Sequence, residues 1–246
     1  MSKSQPSSQR LSQGSQGTPR SQSQYVGTGE IKELARTAVR YMLMNDFDKV
    51  PIKHSDIVRN VTKNISKNTG QVIQLAGKML KDVYGIKLVE DHSKNPKQYL
   101  LINNMKFQEH IALSPTTQAE MTLLTIILTI LFMQTNGRWR DCGVEQSKIH
   151  GFLQLLDIDP TEIHDHFGDV KKVLELFKTQ KYLDVVRIDN TDPPKYEYRW
   201  GVRAIEEVCP RETLKFATEI YGRDKIESWA AQYKAVVEFE ALRGQS

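Results

Sequence analysis

AEMTLLTIILTILFM, residues 119–133, is the most apolar run in the chain and lies near its midpoint. From Met121 to Met133 a helix rises about 20 Å at ~1.5 Å per residue, short of the ~30 Å hydrocarbon core of a bilayer. The run therefore reads as an interior helix, and no membrane partner is expected. Thr122, Thr125 and Thr129 share one face, where a threonine hydroxyl can bond a carbonyl one turn back. The other faces are apolar and must be covered, so folded units before and after this helix are expected to pack on it.

Working back from it, Ile31, Leu34, Ala35, Ala38, Val39 and Met42 recur at helical spacing. Val50-Pro51-Ile52 is a short extended piece, and Ser55 is placed to cap a helix carrying Ile57, Val58, Val61 and Ile65. A third helix follows Thr69, with Val72, Ile73, Ala76, Met79, Leu80 and Val83 on one stripe and Gly85 suited to a left-handed C-terminal cap. The period then changes. Residues 86–90 and 98–103 read as two strands joined by a polar loop. Three helices, a short strand after the first, and a closing hairpin make the element order of a winged helix.

Working forward, the order recurs. Residues 144–156 and 169–180 read as helices, and residues 182–188 and 196–200 as a hairpin with Tyr196, Tyr198 and Trp200 on one side. The expected fold is mainly α with small β-hairpins, an α+β arrangement of two tandem winged helices. The expected boundaries are a tail (1–29), a first winged helix (30–112), a second (113–204) and C-terminal helices packed on the second (205–246).

The tail is rich in Ser and Gln, with almost nothing to bury, and is expected to be disordered. Each of its glutamines follows a serine, at Ser4, Ser8, Ser12, Ser15, Ser21 and Ser23. This resembles the clusters phosphorylated by DNA-damage checkpoint kinases; the alternative is a solvated linker. The formal charge of +4 is mostly a tail property: residues 1–29 contribute +3, residues 30–117 carry 14 basic and 9 acidic side chains, and residues 118–246 carry 17 and 21. A nucleic-acid surface must then be a local patch. Cys142 and Cys209 stand apart from each other and are expected as reduced thiols, and no secretory signal is expected.

The second hairpin carries a resemblance. Gln180-Lys181-Tyr182-Leu183 and the run from Asp192 to Ala204, DPPKYEYRWGVRA, closely resemble the MAGE (melanoma antigen) homology domain. Pro51-Ile52-Lys53, Val83-Tyr84-Gly85-Ile86 with Leu88, and Leu128 to Met133 are similar too, so the likeness covers about residues 30–240. The resemblance implies two winged helices and a non-enzymatic scaffold. It further implies a RING-type ubiquitin ligase subunit that the scaffold stimulates, a kleisin-type subunit, an SMC-type ATPase complex of the Smc five/six type, and contact with double-stranded DNA in a nuclear, chromosome-associated setting. Met42, Leu43 and Met44 match the leucines with which the family grips RING partners.

No motif of catalysis, nucleotide binding or cofactor binding is present, so neither enzyme activity nor a cofactor is expected. His164 and His166 with His150 lack a third well-spaced ligand and read as surface histidines, with no metal. Trp200 and Tyr182 read as core. Lys171, Lys172, Lys178, Lys181, Lys195, Arg199 and Arg203 lie in the helix and wing that reach DNA in winged helices, and are expected to contact phosphates. A sequence-specific transcription regulator is the competing reading. It would use Gln71 and Gln74, which begin the third helix of the first unit.

Overall fold

The computed structural model describes residues 28–63, 68–92, 96–105, 114–189 and 192–244. Residues 1–27 of the tail, with its six serines, lie outside the described residues, and Thr28 and Gly29, expected in the tail, already belong to the first helix. Helix α1 (Thr28–Asn45) leads to strand β1 (Ile52–Lys53), then α2 (His54–Asn60), α3 (Thr69–Tyr84), β2 (Ile86–Asp91) and β3 (Gln98–Asn103). Helix α2 begins one residue before Ser55, and the residue preceding it, Lys53, supplies no side-chain cap. Gly85 ends α3 in the left-handed conformation, φ 63° and ψ 26°, its N–H bonded to the carbonyls of Leu80 and Lys81. Strand β3 pairs antiparallel with β1 on one side and β2 on the other, with Leu88 opposite Leu101.

The second half repeats the plan. Helix α4 (Pro115–Gln134) is followed by β4 (Val144–Glu145), α5 (Gln146–Gln154), a small ribbon of β5 (Ile163–His164) and β6 (Gly168–Asp169), then α6 (Val170–Thr179), β7 (Leu183–Arg187) and β8 (Tyr196–Trp200). The sheet order β4-β8-β7 matches β1-β3-β2, so each half closes a short strand and a hairpin around a central strand. Residues 144 and 145, expected at the start of a helix, instead form β4 because they pair with Tyr198 and Glu197 of the wing. The chain continues through α7 (Val202–Glu207), α8 (Pro210–Ile220) and α9 (Ala230–Gly244).

The apolar side chains form two separate clusters. The first gathers Ala38, Val39, Met42, Ile57, Val72, Ala76, Leu80 and Leu101. The second is built around α4 and includes Leu128, Phe132, Trp139, Ile149, Phe177, Trp200, Leu214 and Phe239. Trp139 lies 5.0 Å from Phe132 and 5.6 Å from Phe239 between ring centroids, and the Trp200 indole N–H donates to the Leu128 carbonyl at 3.0 Å. Trp200 is core, as expected.

Helix α4 corrects one expectation. Ser114 caps it and Pro115 starts it, so it runs 20 residues, long and apolar enough to cross a membrane by length and composition. Its packing assigns it to the interior instead: Leu123, Leu124, Ile127, Leu128, Leu131 and Phe132 are buried in the second core, and α8 packs along it. The hydroxyls of Thr122 and Thr125 bond the carbonyls of Gln118 and Met121, both at 2.8 Å, which satisfies two of the three threonines of the polar stripe one turn back.

Candidate functional site

The expected basic face of the second unit separates into two populations. Arg203, on α7, is fully buried, and it is not a phosphate ligand. Its guanidinium donates to the carbonyls of Gln180 at 2.8 Å, Leu101 at 2.9 Å and Lys49 at 2.9 Å, and to the Glu207 carboxylate at 3.0 Å. Leu101 and Lys49 belong to the first half and Gln180 and Glu207 to the second, so one rigid donor fork joins both. The hydroxyl of Tyr182, a residue partly buried against the second core, donates to Glu207 at 2.6 Å. Burial first, then the Glu207 charge, holds the Tyr182 phenol well above its ordinary range.

Lys181 is corrected likewise. It adopts φ 68°, and its ammonium lies 3.6 Å from the fully buried Asp91 of β2. Lys87 and Glu206 add a bridge at 2.8 Å, and the Gln180 amide donates to the Asp48 carbonyl at 3.2 Å. These contacts form a polar junction between the two cores. Of the remaining cations Lys171, Lys172 and Lys195 are exposed and Lys178 and Arg199 half-buried, and several are neutralised by their neighbours: Lys172 by Asp169 at 3.0 Å, Lys178 by Glu175, and Arg199 by Glu197. Lys171 and Lys195 make no ion pair among the described residues.

The residues expected to grip a RING partner also divide. Met42 is fully buried in the first core, because Ala35, Ala38, Val39 and Met42 form the i, i+3, i+4, i+7 face of α1. Leu43 packs partly against that core, and only Met44 stands out, 74% exposed. The turn that follows contributes Phe47, 91% exposed, and Val50. Sequence reasoning missed Phe47, although an aromatic in the polar stretch Asn45-Asp46-Phe47-Asp48-Lys49 is the signal that could have found it.

A groove of about 460 Å³ lies beside α4, lined by Ile126, Thr129, Ile130 and Met133, by Phe152, Leu155 and Leu156 of α5 and its end, and by Ile220 of α8. Leu155 and Ile220 are widely exposed on its rim. The Thr129 hydroxyl is buried with no hydrogen-bond partner among the described residues. Among the histidines weighed as ligands, His164 uses its Nδ1 to accept the N–H groups of His166 and Phe167, at 3.0 and 3.2 Å. His150 packs on Tyr198, and burial lowers its pKa.

Residues 38–211 match the MAGE homology domain, which spans both winged helices. The chain belongs to the MAGE homology domain family. Among MAGE relatives, it is 35% identical to the human non-structural maintenance of chromosomes element 3 homolog, over 87% of this chain and 67% of that protein. It is also 35% identical to human melanoma-associated antigen D2 over 83% of its own length, and spans only 33% of that longer relative. Among solved structures, a chain of an Nse1-Nse3-Nse4 complex superposes with a TM-score of 0.72 at 33% identity, covering 85% of this chain and 99% of that one. The matched span includes the junction residues Lys181, Arg203 and Glu207 and the whole of α4.

Proposed function

We propose that this MAGE chain is a non-enzymatic scaffold subunit of a chromosome-maintenance complex of the Smc five/six type, acting in the nucleus on chromosomes. In this reading it binds and stimulates a RING-type ubiquitin ligase subunit, binds a kleisin-type subunit and touches double-stranded DNA. The observation that carries it is the likeness, over most of both chains, to the element 3 homolog and to a chain of the Nse1-Nse3-Nse4 complex. The test is native purification of a tagged copy from cells. Recovery of RING, kleisin and SMC-type subunits in fixed proportion is expected, and their absence would overturn the reading.

The RING contact is assigned to the exposed patch of Met44, Phe47 and Val50 rather than to Met42. Apolar anchors of this kind dominate interfaces. Met44→Asp should leave the melting curve unchanged and weaken RING-subunit binding by about tenfold or more, a loss of ~1.4 kcal/mol. Met42→Asp should unfold the first unit. Equal retention of binding in a folded Met44→Asp, Phe47→Asp double variant would remove the patch from the interface.

The kleisin contact is assigned to the groove beside α4, where an amphipathic helix can lay its apolar face. Leu155→Glu with Ile220→Glu places two charges on the rim at positions already exposed, so folding should be untouched. Affinity for the kleisin segment is expected to fall about thirtyfold, or ~2 kcal/mol, by calorimetry. Unaltered affinity would place the kleisin elsewhere.

A further inference from the structure

The first unit carries a second basic face that its own acids do not neutralise. Helix α3 buries Val72, Ile73, Ala76 and Leu80. Opposite them, Gln71, Gln74, Lys78 and Lys81 are all exposed. At ~100° per residue these four fall within roughly 80° of arc, a single stripe running the length of the helix. Lys78 and Lys81 make no ion pair among the described residues, and Asp82, at the C-terminal edge of the stripe, is the acid nearest to it along the helix.

Two glycines edge the same stripe. A side chain at Gly70 would meet nothing, and one at Gly77 would meet only Leu88, at 3.5 Å. The helix backbone is therefore open to close approach at Gly70, near its start, while Leu88 covers it at Gly77. Beside it runs a groove of about 490 Å³, bounded by Gln74 and by His54, Glu90 and Lys97 of the neighbouring elements. The one acid there is already matched: Lys97 bonds Glu90 at 2.8 Å, and that hydrogen bond holds the carboxyl below its usual range.

We infer that α3 of the first unit, and not α6 of the second, is the helix that enters the major groove of double-stranded DNA. Lys78 and Lys81 take phosphates, and Gln71 and Gln74, near the helix start, meet base edges. The argument is one of charge and shape. A recognition helix reads bases with residues of its N-terminal turns, glutamine pairs with adenine edges, and lysines farther along hold the backbone. Of the three lysines on α6, Lys172 and Lys178 are each paired with an acid of their own element or cap, which leaves Lys171 as its one lysine without an ion pair among the described residues, against two on the α3 stripe. The inference rests on the proposal above that the chain touches DNA.

The test uses the full chain and a fluorescent duplex, with anisotropy read across a salt series. Lys78→Ala with Lys81→Ala should lower affinity about tenfold or more at low salt and reduce the log–log salt slope by about 2, close to one unit per lost phosphate contact. Lys171→Ala with Lys195→Ala should leave both within about twofold of wild type. Gln71→Ala with Gln74→Ala should keep the slope and diminish the preference between adenine-rich and guanine-rich duplexes. All these positions are exposed, and matched melting curves confirm that each variant is folded. Wild-type behaviour in the α3 lysine variant, with loss in the α6 and wing variant, would overturn the assignment of the helix. No duplex binding by wild type would instead overturn the DNA contact itself, and this inference with it.

Discussion

Arg203→Ala is expected to be among the most destabilising single substitutions in the chain. It removes the donor fork from three carbonyls and one carboxylate that converge on a fully buried site. Each buried acceptor left without its partner costs about 1–3 kcal/mol, and breaking a buried charge pair from one side costs about 3–5. A total loss on the order of 4 kcal/mol is expected by urea denaturation. Arg203→Lys should recover little of it, since one ammonium cannot reach carbonyls in several directions as a planar fork does. Arg199→Ala, at a half-buried pair with Glu197 that leaves no buried carbonyl unpaired, should cost about 1 kcal/mol. A cost below that level for Arg203→Ala would mean that the junction is held by something other than this ion.

The second large effect comes from one methyl group. A Cβ at Gly201 would sit 2.2 Å from the Lys181 carbonyl oxygen and 2.7 Å from its carbon, both backbone atoms. The same segment is stitched by Gly201 N–H to the Tyr182 carbonyl at 2.8 Å and Arg203 N–H to the Lys181 carbonyl at 2.9 Å. Gly201→Ala must push these strands apart and with them the Arg203 site, so a cost of about 3 kcal/mol is expected, at the upper end of overpacking. Gly151, inside α5, has nothing within 4 Å of its would-be Cβ. Gly151→Ala should therefore stabilise by about 0.5–1 kcal/mol through helix propensity. Finding the two substitutions alike in thermal melts would refute the packing described for residues 181–203.

Where a residue's role follows from its own element, the sequence was readable. The core stripe of α3 as far as Leu80, the Gly85 cap and the two hairpins follow from period and turn chemistry, and the all-round apolarity of α4 announces a helix covered on most sides; Val83, on the same stripe by spacing, is 71% exposed because the last turn of α3 extends past the core. The length of α4 was underestimated because its first turns, Pro115 to Glu120, are polar and carry no periodic signal. Met42 shows a conflict that was visible beforehand: it continues the stripe of Ala35, Ala38 and Val39, and a residue on that stripe cannot also face a partner. The charged residues were the hardest. Lys181 and Arg203 look like Lys171 and Lys195 in sequence, and only tertiary placement separates a buried junction from a solvated face. Phe47 and the groove rim at Leu155 and Ile220 are likewise defined by what fails to cover them.

The two apolar clusters close separately, and the ground between them is ionic and hydrogen-bonded. This has a thermodynamic consequence for a chain that would serve several ligands at once. A binding event on one winged helix can influence the other by favouring one geometry of this junction over another, at Arg203 and at the Lys181–Asp91 and Lys87–Glu206 pairs beside it. Whatever factor of affinity passes in one direction passes equally in reverse. If the groove beside α4 and the Met44–Phe47 patch take the partners proposed above, their occupancies would be linked through this junction, with the four acceptors around the Arg203 guanidinium at its centre. Interactions of typical coupling strength, about 1–3 kcal/mol, are of the same order as the hydrogen bonds gathered there.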